Sequence, residues 1–435
     1  MRAHDKIPKV RRRWLPIAMV TILILLMGAT SYAFTWDYYL KAGFMEIPAV
    51  TFSASPQLPN ENVLMWGYAL CGVGALGTCG AVTVPGPVLL ANQGDTLNIH
   101  LLNALTPPTA PTAYPNMKSE PTSLIINGQS TTYTPVWVSV NDDGVPQAVT
   151  STGSRAAGDV TSRVRSFNTE TAVGATVVYT WTPLVSGTYL YESGTHPAVQ
   201  VQMGLYGALK VYPAAYPVTL VAGVPTPPPS GPAVTVQAYN DVSTAFNFEV
   251  TLLFSEIDQE LHYSIASGLY GTPPPAPPTP PVRGQMTSTY DYAPTFFLIN
   301  GKPYTSASIP IPSAGMVGKK TLLRLLNAGL KEKTPTLLNQ YMGIIAEDGS
   351  PYIYVTSAGG TSYYSKQQYS VLLPAGATRD GLMTVSASAV NALGTMPVFD
   401  RSENLTNAVL SPGGDLTYLQ IAAAPAAVRR QHLHR

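Results

Sequence analysis

The sequence predicts an all-β protein: two β-sandwich domains behind an N-terminal hydrophobic helix. Three observations carry that expectation. The chain is 435 residues long, too much for one ordinary domain. Apolar and polar residues alternate in many short runs, the period of a half-buried strand. Turn signals drawn from 36 Gly and 40 Pro separate these runs, and no long stretch after residue 40 holds a helical period. A hydrophobic fraction of 45% is enough for sizeable cores and excludes global disorder. Only 11% of residues are charged, with 25 basic side chains against 24 acidic ones. Nucleic-acid binding needs a basic surplus, so no nucleic-acid partner is expected.

Lys6, Lys9, Arg11, Arg12 and Arg13 precede an uncharged run over residues 14–36. A basic flank before an apolar core is the layout of an export signal. Ser31 and Ala33 supply the small residues a signal peptidase needs, with Phe34 as the mature start. The same run is long enough to span a bilayer as a retained anchor, its basic flank in the cytoplasm. Residues 1–36 are therefore read as a signal peptide or membrane anchor. Both readings place the domains outside the cytoplasm: periplasmic, cell-surface or membrane-anchored. Cys71 and Cys79 fit that compartment as one local disulfide across a Gly-rich segment. Their spacing is wrong for a CxxC redox pair, and no further zinc ligands are close in sequence.

Residues 37–60 read as an aromatic-rich lead-in. In the first domain, residues 61–215, strand-like runs fall at 96–101, 136–140, 177–181 and 199–203. The rest of 130–175 is a Ser/Thr/Gly/Asp-rich excursion. Prolines from Pro225 to Pro232 mark residues 216–233 as a stiff linker. The second domain, residues 234–424, has strand-like runs at 248–254, 296–300, 321–327, 352–355, 369–373, 382–386 and 417–421. Its proline run at 273–281 reads as an extended loop, and 425–435 as a basic tail. Regular short strands of this kind make sandwiches or barrels. The 25 tyrosines read mainly as core and cross-strand packing.

Several stretches, in order, resemble the multicopper oxidase family. Val84-Pro85-Gly86-Pro87 followed by Gly94-Asp95-Thr96-Leu97 resembles its opening "PGP…GDT" pair. Residues 121–129, PTSLIINGQ, resemble its "TSxHxHG" copper-binding strand. Residues 187–191, GTYLY, running on to QMGLYGAL at 202–209, resemble "GTYWYHSH…Q…GLYGAL". Residues 297–302, FLINGK, together with LRLLNAG at 323–329 and AEDG at 346–349, are similar to segments of the family's middle domain. The resemblance spans roughly residues 60–420. It implies two cupredoxin-like Greek-key β-sandwiches and, by the family's chemistry, copper-dependent oxidation.

The departures fall at the ligands. Copper sites need imidazole nitrogens and, for blue copper, a thiolate. The family's His-x-His is Ile125-x-Asn127 here, and its His-Ser-His is Glu192-Ser193-Gly194. The positions where a blue-copper domain has its last His and axial ligand hold Gln200 and Leu205. Nothing in the sequence corresponds to the family's third domain, which carries its His-Cys-His cluster. Of six His, His4, His432 and His434 lie outside the two domains. His100 alternates with Leu97, Ile99 and Leu101 and points away from the core, and His262 lies in a polar stretch. His196, with Glu192 close by, is the best remaining metal candidate. A standard copper site is not expected.

Other chemistries find no support. There is no Gly-x-Ser-x-Gly elbow, and too few His for a triad. Gly72-Val73-Gly74 lacks the Lys and helix of a phosphate loop. Asp142-Asp143-Gly144 and Glu347-Asp348-Gly349 read as turns rather than as a calcium site or an acid–base pair. Asn404-Leu405-Thr406 is a formal glycosylation sequon. Three readings result. The leading one is a structural or interaction component of the cell envelope or an extracellular assembly. The others are a copper oxidoreductase using non-standard ligands or a partner subunit, and a ligand-binding module.

Overall fold

A computed structural model of the chain describes residues 33–47, 62–72, 76–106, 114, 116–139, 151–152, 162–272, 283–305, 308–357, 360–402, 406–407, 411 and 413–424. Residues 1–32 of the expected signal or anchor, Asp142-Asp143, Asn404 and the tail with His432 and His434 lie outside the described residues. The end of that expected segment is corrected: Thr35 and Trp36 already belong to a strand, with Trp36 buried in the core. Among the described residues no helix is long and apolar enough to cross a membrane.

The first sandwich contains β1 (Thr35–Ile47), β2 (Val63–Leu70), β3 (Leu89–Asn92), β4 (Thr96–Asn103) and β5 (Ile125–Ile126). A small sheet of β6 (Val136–Ser139), β7 (Ser151–Thr152) and β8 (Ser162–Ser166) follows, then β9 (Thr176–Trp181) and β10 (Gly187–Glu192). A one-turn helix, α1 (Pro197–Gln200), leads into β11 (Tyr206–Tyr212). One main sheet runs β2-β1-β4-β9 and the other β3-β11-β10-β5. Strict alternation makes β4 a two-faced strand: Leu97, Ile99 and Leu101 are buried. His100 faces outward as expected, stacked on Tyr39 with 4.2 Å between ring centroids. Cys71 and Cys79 form the expected disulfide.

Two sequence expectations change here. The lead-in is an integral strand: β1 pairs with β2 on one side and runs parallel to β4 on the other. Its Trp36, Tyr38 and Leu40 enter the core. The 199–203 run is the end of α1 and a turn. Pro197 suits the first turn of a helix, where its missing N–H costs nothing, and Val199, Gln200, Val201, Gln202 and Met203 are all buried. Burial of every residue, with no exposed face, defeats a reading based on alternation.

The second half opens with the hairpin β12 (Thr219–Val221) and β13 (Val224–Thr226), inside the proline-rich stretch, and the pair β14 (Val236–Gln237) and β15 (Ala245–Phe246). Then come β16 (Phe248–Ile257), helix α2 (Gln259–Ala266), β17 (Phe296–Ile299), β18 (Lys302–Pro303), β19 (Ile311–Met316), β20 (Lys320–Asn327), β21 (Pro335–Leu337), β22 (Met342–Glu347) and β23 (Ser350–Pro351). The hairpin β24 (Ile353–Val355) and β25 (Thr361–Tyr363) precedes β26 (Lys366–Gln368), β27 (Thr378–Thr384), β28 (Thr395–Asp400) and β29 (Leu416–Ala422). The larger sheet runs β18-β17-β16-β20-β27-β22-β23, with β26 on β22, and packs on β19-β29-β28-β21. The 369–373 run forms only isolated bridges, Ser370 with Thr336 and Leu373 with Lys333.

Helix α2 was not legible as a helix. It has eight residues, too few for a periodic signal, and is started by Asp258, whose carboxylate accepts the Glu260 and Leu261 N–H groups. It packs on the first sandwich. Leu261 and Ile265, with Met286 and Tyr292 from the following loop, complete the core around Trp36, Trp66 and Trp181. His262 is fully buried rather than set in a solvated stretch, and its Nδ1 lies 2.6 Å from the Leu64 carbonyl oxygen.

The two sandwiches also meet at the β17–β18 turn. Gly301 has φ +72°, and a Cβ there would overlap the Val84 carbonyl of the first sandwich. Gly301→Ala is expected to destabilise the fold by about 1–3 kcal/mol through overpacking and backbone strain. A thermal midpoint unchanged from wild type would show that the contact has slack.

Candidate functional site

The positions that carry copper ligands in the resembled family come together around β5, β10 and α1. Ile126 pairs with Tyr191, and Ile125 with Glu192. The Ile125 side chain is buried and offers no donor atom. Asn127 is exposed, and its Nδ2 donates to Glu192 Oε1 over 3.4 Å. Leu205 is fully buried in the core of the first sandwich. Gln200 is fully buried; its Nε2 donates to the Pro121 carbonyl at 2.9 Å and to Glu120 Oε2 at 3.3 Å. Its Oε1 accepts from Ser193 Oγ at 2.7 Å.

Hydroxyls extend this network. Ser193 Oγ lies 3.2 Å from Thr122 Oγ1. Thr195 Oγ1 lies 3.1 Å from Ser123 Oγ and 3.0 Å from Ser166 Oγ, which are 2.9 Å from each other. Thr122, Ser123, Ser166, Ser193 and Thr195 are all buried. Buried polar atoms must find partners, and these find them in one another. The donor set is therefore amide, hydroxyl and carboxyl, committed to internal bonds, with two positions apolar. It does not fit copper, whose sites use imidazole and thiolate. Among the described residues no group of three or more His, Cys, Asp or Glu is arranged to hold a metal ion.

The electrostatics are those of a desolvated patch. Burial alone pushes the Glu192 carboxyl up to about 7. Burial also pushes Glu120 up to about 7, against the opposing hydrogen bond from Gln200. Both acids therefore change protonation near neutrality instead of standing as fixed charges.

His196 has surroundings of its own. It takes a left-handed backbone, φ 39° and ψ 59°, at the start of α1. Burial lowers its pKa to about 4, helped by Arg165 and Arg163. A neutral imidazole is the form that binds metals, but the neighbours here are cationic. His196 lines a groove of about 540 Å³ with Arg163, Arg165, Phe167 and Tyr270, and Glu192 is not part of that lining. Arg165 is buried and ion-paired with Glu170. It also borders a second, mostly apolar hollow of about 700 Å³ with Pro121, Val136 and Thr169. Sequence reasoning missed Gln200 as the hub of a polar network. The signal available was a pair of glutamines, Gln200 and Gln202, amid residues that are mostly apolar or small.

No protein-family model and no curated protein matches the sequence. Solved structures do match in shape. A blue copper oxidase from Nitrosomonas europaea is 15% identical, with 89% of this chain and 86% of that chain covered and a TM-score of 0.53. A copper nitrite reductase from Nitrosomonas europaea is 14% identical, with 89% of this chain and 94% of that chain covered and a TM-score of 0.51. Identities this low establish the fold alone. In class, the chain is a double β-sandwich with the cupredoxin-like fold of copper oxidases and copper nitrite reductase. The relation to the multicopper oxidases expected from the order of its motifs thus holds at the level of fold.

Proposed function

We propose that this protein is an exported, copper-free double sandwich that acts as a structural or interaction component of the cell envelope or an extracellular assembly. One observation carries the proposal: the polar network of Gln200, Ser193 and Thr195 closes the place where the resembled family binds copper. A basic–apolar N-terminus supports placement outside the cytoplasm, and low charge suits a body held in an assembly. The membrane is a partner through the apolar segment that precedes Thr35 if that segment is retained, and protein partners supply the rest of the assembly.

Metal analysis after copper reconstitution tests the copper-free half. Well under one tightly bound copper per chain is expected, with no blue absorption band. Stoichiometric copper with that band would replace this reading by a copper oxidoreductase with non-standard ligands or a partner subunit. Cell fractionation of the full chain against one lacking residues 1–33 tests placement. Recovery of the full chain in the cytosolic fraction would overturn it.

A further inference from the structure

Lys333 is fully buried in the second sandwich, a rare position for an amine. Its Nζ lies 2.7 Å from Glu256 Oε2 and 3.0 Å from Asp415 Oδ2, and all three side chains are closed to solvent. The Phe297 ring covers the group, with its centroid 4.5 Å from Nζ. The three residues come from distant parts of the chain. Glu256 is near the end of β16, Lys333 precedes β21, and Asp415 immediately precedes β29.

The contacts are close, yet they lack the angles of hydrogen bonds. Neither Asp415 oxygen, nor Glu256 Oε2, nor Lys333 Nζ has a partner in hydrogen-bond geometry. A buried carboxylate kept as a permanent counter-ion needs donors on its remaining lone pairs. Asp415 has no such donors. Glu256 is differently held: its Oε1 accepts the Lys331 N–H at 2.7 Å. Gly329 makes room for it, since a Cβ there would overlap the Glu256 carboxylate.

We propose that Lys333 and Asp415 condense into an intramolecular isopeptide bond, with Glu256 as the proton carrier. Burial raises the Asp415 carboxyl to about 8 against the pull of Lys333, so near neutrality it carries a hydroxyl that can leave as water. Burial disfavours the Lys333 ammonium, but with Asp415 neutral the Glu256 carboxylate 2.7 Å away still favours it, so the amine must give up a proton before it can react. Glu256 takes that proton. The free Nζ lone pair, already 3.0 Å from Asp415 Oδ2, then attacks the adjoining Cγ, where proximity replaces a bimolecular encounter. An N–C bond forms and the C–OH bond breaks. The second proton lost by Nζ passes through Glu256 to the departing hydroxyl. The products are one amide, one water and a protonated Glu256. No oxidant or co-reactant is needed. The bond ties the entry of β21 covalently to the entry of β29.

Mass spectrometry of the intact, disulfide-reduced wild-type chain tests this. The expected mass is that of the sequence, after any N-terminal processing, less one water. Tryptic mapping should give a branched peptide joining the Lys333 and Asp415 segments, with no cleavage after Lys333. Glu256→Gln keeps both reacting groups and is expected to restore the full mass. A wild-type chain of full mass that is cleaved at Lys333 would overturn the proposal. So would a water deficit mapped to any other pair, including Lys333 with Glu256. A deficit that persists in Glu256→Gln would remove Glu256 from its role. Should that variant fail to fold, the wild-type mass and peptide map still decide.

Discussion

Replacing Arg324 with methionine is expected to destabilise the folded protein by about 3–5 kcal/mol, the cost of breaking a buried ion pair from one side. Arg324 is fully buried where the two sandwiches meet. Its guanidinium pairs with Glu249 and lies 3.5 Å from Asp380, both in the second sandwich. Nη1 donates to Thr188 Oγ1 of the first sandwich at 2.7 Å. Thr188 in turn donates to Asp380 Oδ1 at 2.6 Å, and Tyr239 to Asp380 Oδ2 at 2.6 Å. From the first sandwich, Tyr212 donates to Glu249 at 2.6 Å, and Lys210 lies 3.5 Å from the same carboxylate. Methionine would leave two carboxylates in a desolvated seam with hydroxyl donors and one partly opposed amine.

Burial pushes Glu249 upward, but Arg324 and Lys210 outweigh it and hold the carboxyl at about 2. A depressed carboxyl contributes stability that is present above its ordinary 4.5 and is lost as pH falls toward 2. Wild type should show that acid limb in denaturant melts, and Arg324→Met should lack most of it. Adding Glu249→Gln and Asp380→Asn to Arg324→Met should recover much of the loss. A single-variant loss under about 1 kcal/mol, the scale of a solvated pair, would mean the seam is wet.

The second large effect has the opposite sign. Glu192→Gln is expected to stabilise the protein at pH 8. In wild type, burial raises Glu192 from 4.5 to about 7. Between those values the folded state keeps a proton that the unfolded state has released, so stability falls as pH rises, then levels off. The gap corresponds to about 3 kcal/mol. Glutamine mimics the neutral acid and never ionises. The variant should match wild type near pH 4 and exceed it by up to about 3 kcal/mol at pH 8. Glu120, also raised to about 7, should keep part of the slope in both proteins. Parallel stability curves from pH 4 to 8 would refute the desolvated state assigned to Glu192.

The sequence was most readable where one face is wet and one dry. The alternation of β4 identified its buried face and the outward direction of His100. The ordered motifs gave the cupredoxin-like fold, and the substituted ligand positions could be named one by one. What stayed hidden depends on contacts between distant residues. Arg324 sits in an ordinary apolar strand, and its partner Glu249 is on the neighbouring β16. Nothing local distinguishes it from a solvated Arg. The same holds for Lys333, and for Gln200 as a hub. Helix α2 stayed hidden because eight capped residues are too short to show a period, and β1 because buried Trp36, Tyr38 and Leu40 alternate with few strongly polar residues, so the stretch read as merely aromatic.

The way α2 closes the first core bears on the order in which the protein can be made. A chain emerging from its N-terminus delivers β1 through β11 first, yet the hydrophobic centre of that sandwich still lacks Leu261, Ile265, Met286 and Tyr292. Until residue 292 has cleared the ribosome, an aromatic interior containing Trp36, Trp66 and Trp181 stays partly uncovered. Such intermediates are aggregation-prone. A fragment ending at residue 215 would be caught permanently at that stage. The first sandwich is thus a unit of architecture whose core is closed only by side chains that lie up to about eighty residues beyond its last strand.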